Sequence, residues 1–119
     1  MSQNFQPGDF LVFQLEAGFA LLRLLEVDDS GSERVWHVAA YHDFFPDVET
    51  AERATDDPSI LIRSEDHIAL TTRAFESTQV ARIANFPLAD DEIEPLENWK
   101  DNPNRTVSDR SVRLMLGLR

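Results

Sequence analysis

The chain has 119 residues, 42% hydrophobic and 28% charged, the balance of one globular domain that buries a core and not of a disordered segment. Its 22 acidic residues against 11 basic ones give a formal charge of −11, so nucleic-acid phosphates and anionic membrane surfaces repel it on average. The absence of cysteine removes disulfides, thiolate nucleophiles and cysteine-held zinc or iron–sulfur centres.

No apolar run approaches the roughly 18 residues of a membrane span. The opening Met1-Ser2-Gln3-Asn4 also lacks the basic-then-apolar order of a signal peptide, so the expectation is a cytoplasmic protein. Ten of the 11 basic residues are Arg and only Lys100 is Lys. Arg holds carboxylates in a bidentate fork, which suits internal pairing with the surplus acids.

After the turn pair Pro7-Gly8, Asp9 to Leu15 is aromatic and β-branched and too short for a stable helix; it reads as a strand. Glu16-Ala17-Gly18 is a hairpin-length connection into Phe19 to Val27. Leu content alone would allow a helix there, but the flanking Gly18 and Asp28-Asp29-Ser30-Gly31 favour a strand. Arg34 to Tyr41 is the third strand of an antiparallel meander. Pro46 ends its extension, and Asp47 to Ala54 carries acids in a first turn, as a short helix does.

Asp56-Asp57-Pro58 stops that helix, and Ile60-Leu61-Ile62 and His67 to Thr71 read as two short strands separated by Ser64-Glu65-Asp66. Thr72 is placed to cap a helical turn through Phe75, and Gln79 to Phe86 alternates as a strand before Pro87. Residues 88 to 104 are polar and loop-like. Ser108-Asp109 opens a final amphipathic segment that reads as helix from its cap chemistry. With no repeat or linker, residues 1 to 119 form a single α+β domain: a mainly antiparallel, strongly curved, barrel-like sheet with one or two short helices.

Strand alternation sends His37 and His42 to opposite faces, and five residues separate their backbones by roughly 16 Å, too far to share one metal. A trio of His42, Asp43 and His67 assembled by folding would make a metal-dependent hydrolase, yet no spacing supports it; Asp43 is better read as a turn or cap residue. Ser64-Glu65-Asp66-His67 sets its groups adjacent in sequence, where they rarely face one another, and no Gly-x-Ser-x-Gly elbow is present. Gly8, Gly18, Gly31 and Gly117 are dispersed, so no phosphate-cradling loop exists. The residues therefore indicate no catalytic group, no metal and no cofactor.

One run departs from the background. Asp90, Asp91, Glu92, Glu94 and Glu97 place five acids in eight positions, interleaved with Ile93, Leu96 and Trp99. Acids raise the association rate with a basic protein and an aromatic residue supplies an anchor, so these five and Trp99 are the candidate partner-binding residues.

Gly8-Asp9-Phe10 before a strand, Gly18 in the hairpin, Arg23 in the second strand, Phe44-Phe45-Pro46-Asp47-Val48 after the third, Leu61-Ile62-Arg63, Ile83 to Leu88 and Trp99-Lys100-Asp101-Asn102 together resemble the immunity protein 26 family of bacterial polymorphic toxin systems. The resemblance spans nearly the whole chain. It implies a small non-enzymatic cytoplasmic protein that binds a cognate toxin domain and blocks it, with Gly8-Asp9, Phe44-Phe45 and Pro87-Leu88 as turn and core positions. Many toxin domains that act on nucleic acid are cationic, which an acidic inhibitor matches. The competing expectation is a small regulatory or housekeeping domain without a toxin partner.

Overall fold

Three apolar runs, DFLVFQL, GFALLRLLEVD and VWHVAAYHDFF, become strands β1 (Asp9–Leu15), β2 (Gly18–Asp28) and β3 (Val35–Phe45). Their residues are apolar on both faces, the mark of a sheet covered on both sides. The computed structural model, which describes residues 4–115, has that arrangement. Strand β4 (Arg63–Thr71) pairs with β3 and strand β5 (Ala81–Asn85) with β1, giving an antiparallel five-stranded sheet in the order β4-β3-β2-β1-β5.

Helix α1 (Val48–Ala54), helix α2 (Thr72–Thr78), helix α3 (Asp90–Asp101) and the short helix α4 (Val112–Met115) flank it. On one face Leu11, Phe13, Leu22, Leu24, Trp36, Val38, Ile68 and Leu70 pack with Ala74 and Phe75 of α2 and Val112 of α4. On the other, Phe10, Val12, Leu21 and Tyr41 meet Ala51 of α1, while Leu25 and Ala39 meet Leu96 of α3. The fold class is therefore α+β as expected. The sheet is open, with β4 and β5 as its edges, and does not close into a barrel.

Several expectations are corrected. Residues 88 to 104 are not a loop: α3 occupies most of that stretch. Its interior Pro95 obscured it, because proline cannot donate to the carbonyl of Asp91 four residues earlier. That carbonyl instead accepts from Arg63 Nη1 at 3.4 Å. Ile60 ends a 3-10 turn, Pro58–Ile60, and β4 runs unbroken through Ser64, Glu65 and Asp66. Thr71, not Thr72, caps α2, its hydroxyl accepting from Ala74 N. Phe44, expected as a core anchor, is 51% exposed, and Phe45 alone of the pair packs inward. Leu116 and Gly117, at the end of the predicted last segment, lie outside the described residues.

One irregularity positions the region of interest. Leu24 pairs with Val38 and Glu26 with His37, so β2 advances two residues where β3 advances one, a bulge at Leu25. Strict alternation would put Glu26 and Asp28 on the Leu24 face and Val27 on the other. The bulge reverses this: Val27 packs against the Leu24 face, and Glu26 turns to the face of His37.

Candidate functional site

The acids of the 90 to 97 run separate into two roles once they lie on α3. At 3.6 residues per turn, Asp90, Glu94, Glu97 and Asp101 follow one stripe, and all four are exposed, as is Asp91. Glu92, Ile93, Leu96, Trp99 and Lys100 line the inward side. Glu92 belongs to the scaffold: its carboxylate accepts from Arg23 Nε at 3.0 Å and from Ala89 N at 2.9 Å, half of a capping box, since Ala89 has no side-chain acceptor.

Arg23 is fully buried and joins four parts of the molecule. Its Nη1 donates to Gly8 O at 2.5 Å, its Nη2 to Pro87 O at 3.2 Å, and its guanidinium lies 4.2 Å from the Phe10 ring centroid. Gly8 has φ +94° and a Cβ there would meet Phe86 O at 2.5 Å, so only glycine presents this carbonyl without displacing Phe86. Partial burial pushes the Glu92 carboxyl up, but the Arg23 and Ala89 hydrogen bonds and the Arg23 and Arg63 charges together hold it below its ordinary value.

Trp99 faces inward as well. Its Nε1 donates to Thr106 O at 3.1 Å, and its ring meets His37 edge-on at 4.9 Å and His67 at 5.4 Å between centroids. Beneath it His37 Nδ1 and His67 Nε2 are 2.9 Å apart and share one hydrogen bond. Burial lowers the pKa of both rings, that of His67 to about 4, so both are neutral near pH 7. Single-strand alternation compares only His37 with His42 and misses this pair. The register does reveal it: His37 lies opposite Ala69, two residues from His67 on the same face.

The His42, Asp43 and His67 trio is not assembled. His42 N donates to Ile62 O and Asp43 Oδ2 accepts from Ile62 N at 2.8 Å, which fixes both beside residue 62 of the neighbouring segment. His67 is five residues further along that segment, roughly 16 Å at the strand rise. Asp43, expected at a turn or cap, lies instead within β3, where it accepts from Ile62 N, and the cap of α1 is Asp47, which accepts from Thr50 N at 2.7 Å. Ser64, Glu65 and Asp66 are exposed, with Asp66 beside Arg63.

Two shallow depressions adjoin these groups. One is lined by Tyr41, Pro58, Leu61, Arg63, Asp91 and Glu92, where burial pushes the Tyr41 phenol up to about 12 and keeps it protonated. The other is lined by Glu26, Asp28, Ser30, Trp99, Lys100 and Arg105, with Lys100 Nζ 3.0 Å from Glu26 Oε1. Phe44, Ile60 and Ile62 are exposed; Ile62 is held against His42 and Asp43 near the end of β3, and Arg63 lies 3.7 Å from Asp91 at the start of α3. Among the described residues no helix is long and apolar enough to cross a membrane. No protein-family model, curated protein or solved structure matches the chain.

Proposed function

We propose that the chain is a non-enzymatic protein-binding module of the immunity-protein kind, which binds a cationic toxin domain in the cytoplasm and neutralises it. The observation that carries this reading is the stripe of Asp90, Glu94, Glu97 and Asp101 on α3, flanked by Asp91. Like charges at i and i+4 weaken a helix, and Asp101 sits at the C-terminal end, where the helix dipole disfavours an acid. Glu97 and Asp101 thus work against the stability of their own element, whereas Asp90 and Asp91 stand in its first turn, where the dipole favours them. Presented to a basic surface, these acids speed encounter and fix orientation.

The exposed Ile62, next to Arg63 whose guanidinium lies 3.7 Å from Asp91, supplies near the start of the stripe the apolar contact that charge alone does not. The family resemblance of the Gly8, Phe44 to Val48 and Pro87 pieces points the same way. Of the six residues first selected, Asp90, Asp91, Glu94 and Glu97 remain contacts in this reading, whereas Glu92 and Trp99 support the surface from beneath.

The test is calorimetric titration of the purified protein against the product of the neighbouring toxin-encoding gene at several salt concentrations. Binding should occur and weaken steeply with salt, and the combined reversal of Asp90, Glu94 and Glu97 to Lys should abolish the salt dependence with the fold intact. No adjacent toxin gene, or no binding to its product, removes the reading.

A further inference from the structure

We propose that Glu26, Asp28 and His37 form a binding site for a divalent transition-metal ion. A carboxylate oxygen of each acid and a ring nitrogen of His37 all lie within 4.8 Å of one another. The bulge at Leu25 creates this grouping: it turns Glu26 toward its cross-strand partner His37, with Asp28 two residues on along the same face.

His37 is the second and independent indication. The residue is 0% exposed, and its Nδ1 is committed to His67. Its Nε2 is buried and has no hydrogen-bond partner. A buried imidazole nitrogen without a partner is costly in either tautomer. With Nδ1–H donating to His67, Nε2 keeps a bare lone pair on a ring that stands beside two carboxylates, an arrangement that a cation resolves.

The other donors are prepared in the same manner. Asp28 Oδ1 accepts from Ser30 N at 2.9 Å and Ser30 Oγ at 2.6 Å, and Glu26 Oε1 accepts from Lys100. Each ligand thus uses one atom to hold its orientation, and Oδ2, Oε2 and Nε2 have no protein partner among the described residues. Glu26 and Asp28 line a depression open to solvent, so two of the three donors are reachable there, with Trp99 between that depression and His37.

One imidazole and two carboxylates suit zinc, manganese or ferrous ions better than calcium or magnesium, which prefer all-oxygen cages. Donors about 2.0–2.2 Å from an ion stand closer together than 4.8 Å, so the half-buried Glu26 and Asp28 side chains close on the ion while His37 stays fixed. Lys100 competes: its ammonium already neutralises Glu26, and binding moves it outward.

The test is titration of chelator-treated protein with Zn²⁺ and Mn²⁺, followed by calorimetry and thermal melting, with Ca²⁺ as the control. One ion per chain should bind and raise Tm, and Ca²⁺ should do neither. Asp28→Asn and Glu26→Gln, at half-buried positions that leave the fold intact, should each weaken binding at least 10-fold. His67→Phe, which removes the partner that orients His37, should weaken it by roughly 10–100-fold. Lys100→Met should tighten it. No saturable binding, or binding unchanged in Asp28→Asn and Glu26→Gln, overturns the proposal, because scattered surface carboxylates then account for the ion uptake.

Discussion

Arg23 on β2 and Glu92 on α3 form an ion pair whose two side chains are 2% and 17% exposed, across 69 residues of sequence. This contact fastens α3 to the sheet and, through the Gly8 and Pro87 carbonyls, fastens the entry to β1 and the exit from β5, at one end of that strand pair, to the same guanidinium. Removing one partner of such a pair leaves a buried charge uncompensated. Glu92→Ala should therefore cost about 3–5 kcal/mol in urea unfolding. Arg23→Met combined with Glu92→Leu should cost less than the sum of the two single changes, since the double variant buries no unpaired charge. A loss below about 1 kcal/mol for Glu92→Ala would place the pair among ordinary surface contacts.

The same pair sets an acid limit to stability. The Glu92 carboxyl is held below its ordinary value of 4.5 in the folded protein, so in the acid range the unfolded chain binds the proton more readily. Stability from this group is complete above the unfolded pKa and is lost as pH falls through the folded one. Melting temperature should accordingly drop as pH is lowered from about 5, and the drop should be shallower in the Arg23→Met, Glu92→Leu variant. Equal slopes in the two proteins would assign the acid sensitivity to other carboxylates.

Truncation of Trp36 should be costly. Trp36 is 6% exposed, stacks on Phe75 at 4.0 Å between centroids, and donates from Nε1 to Thr72 Oγ1 at 3.0 Å. Trp36→Ala should cost about 3–5 kcal/mol, the range for deleting a large buried aromatic side chain. Trp36→Phe keeps the stack on Phe75 and forfeits mainly the hydrogen bond, about 1 kcal/mol. Chemical denaturation of the three proteins decides this, and a Trp36→Ala loss under 1 kcal/mol would contradict the packing described.

The meander was legible because its strands are apolar on both faces and are separated by Gly18 and the Asp28 to Gly31 turn. The helix over 90–101 was not, because Pro95 and five acids look like loop composition, and what stabilises α3 is tertiary: Leu96 in the core, Arg23 on Glu92 and Arg63 on the Asp91 carbonyl. Alternation separates His37 from His42, and the structure keeps them apart, His37 buried beside His67 and His42 exposed. Alternation could not pair His37 with His67, which depends on the β3–β4 register, nor with Glu26, which depends on an extra residue at Leu25. A bulge of that kind has no local sequence signal here, since Leu24-Leu25 reads as continuous strand. The exposed acids were recognisable by composition, but their division into a solvent stripe and a structural Glu92 required the helix.

The stripe itself should register as a stability cost. Glu97 and Asp101 are exposed, lie at i and i+4 on α3, and stand in its C-terminal half. Their mutual repulsion and the unfavourable dipole at Asp101 together amount to roughly 0.5–1 kcal/mol at low ionic strength. Glu97→Gln with Asp101→Asn should therefore raise Tm in low-salt buffer, and the gain should shrink as salt screens the charges. The same variant should bind the cationic partner more weakly, so stability and affinity move in opposite directions. A lower Tm would mean that these carboxylates serve the fold, and the stripe would then lose its standing as a binding surface.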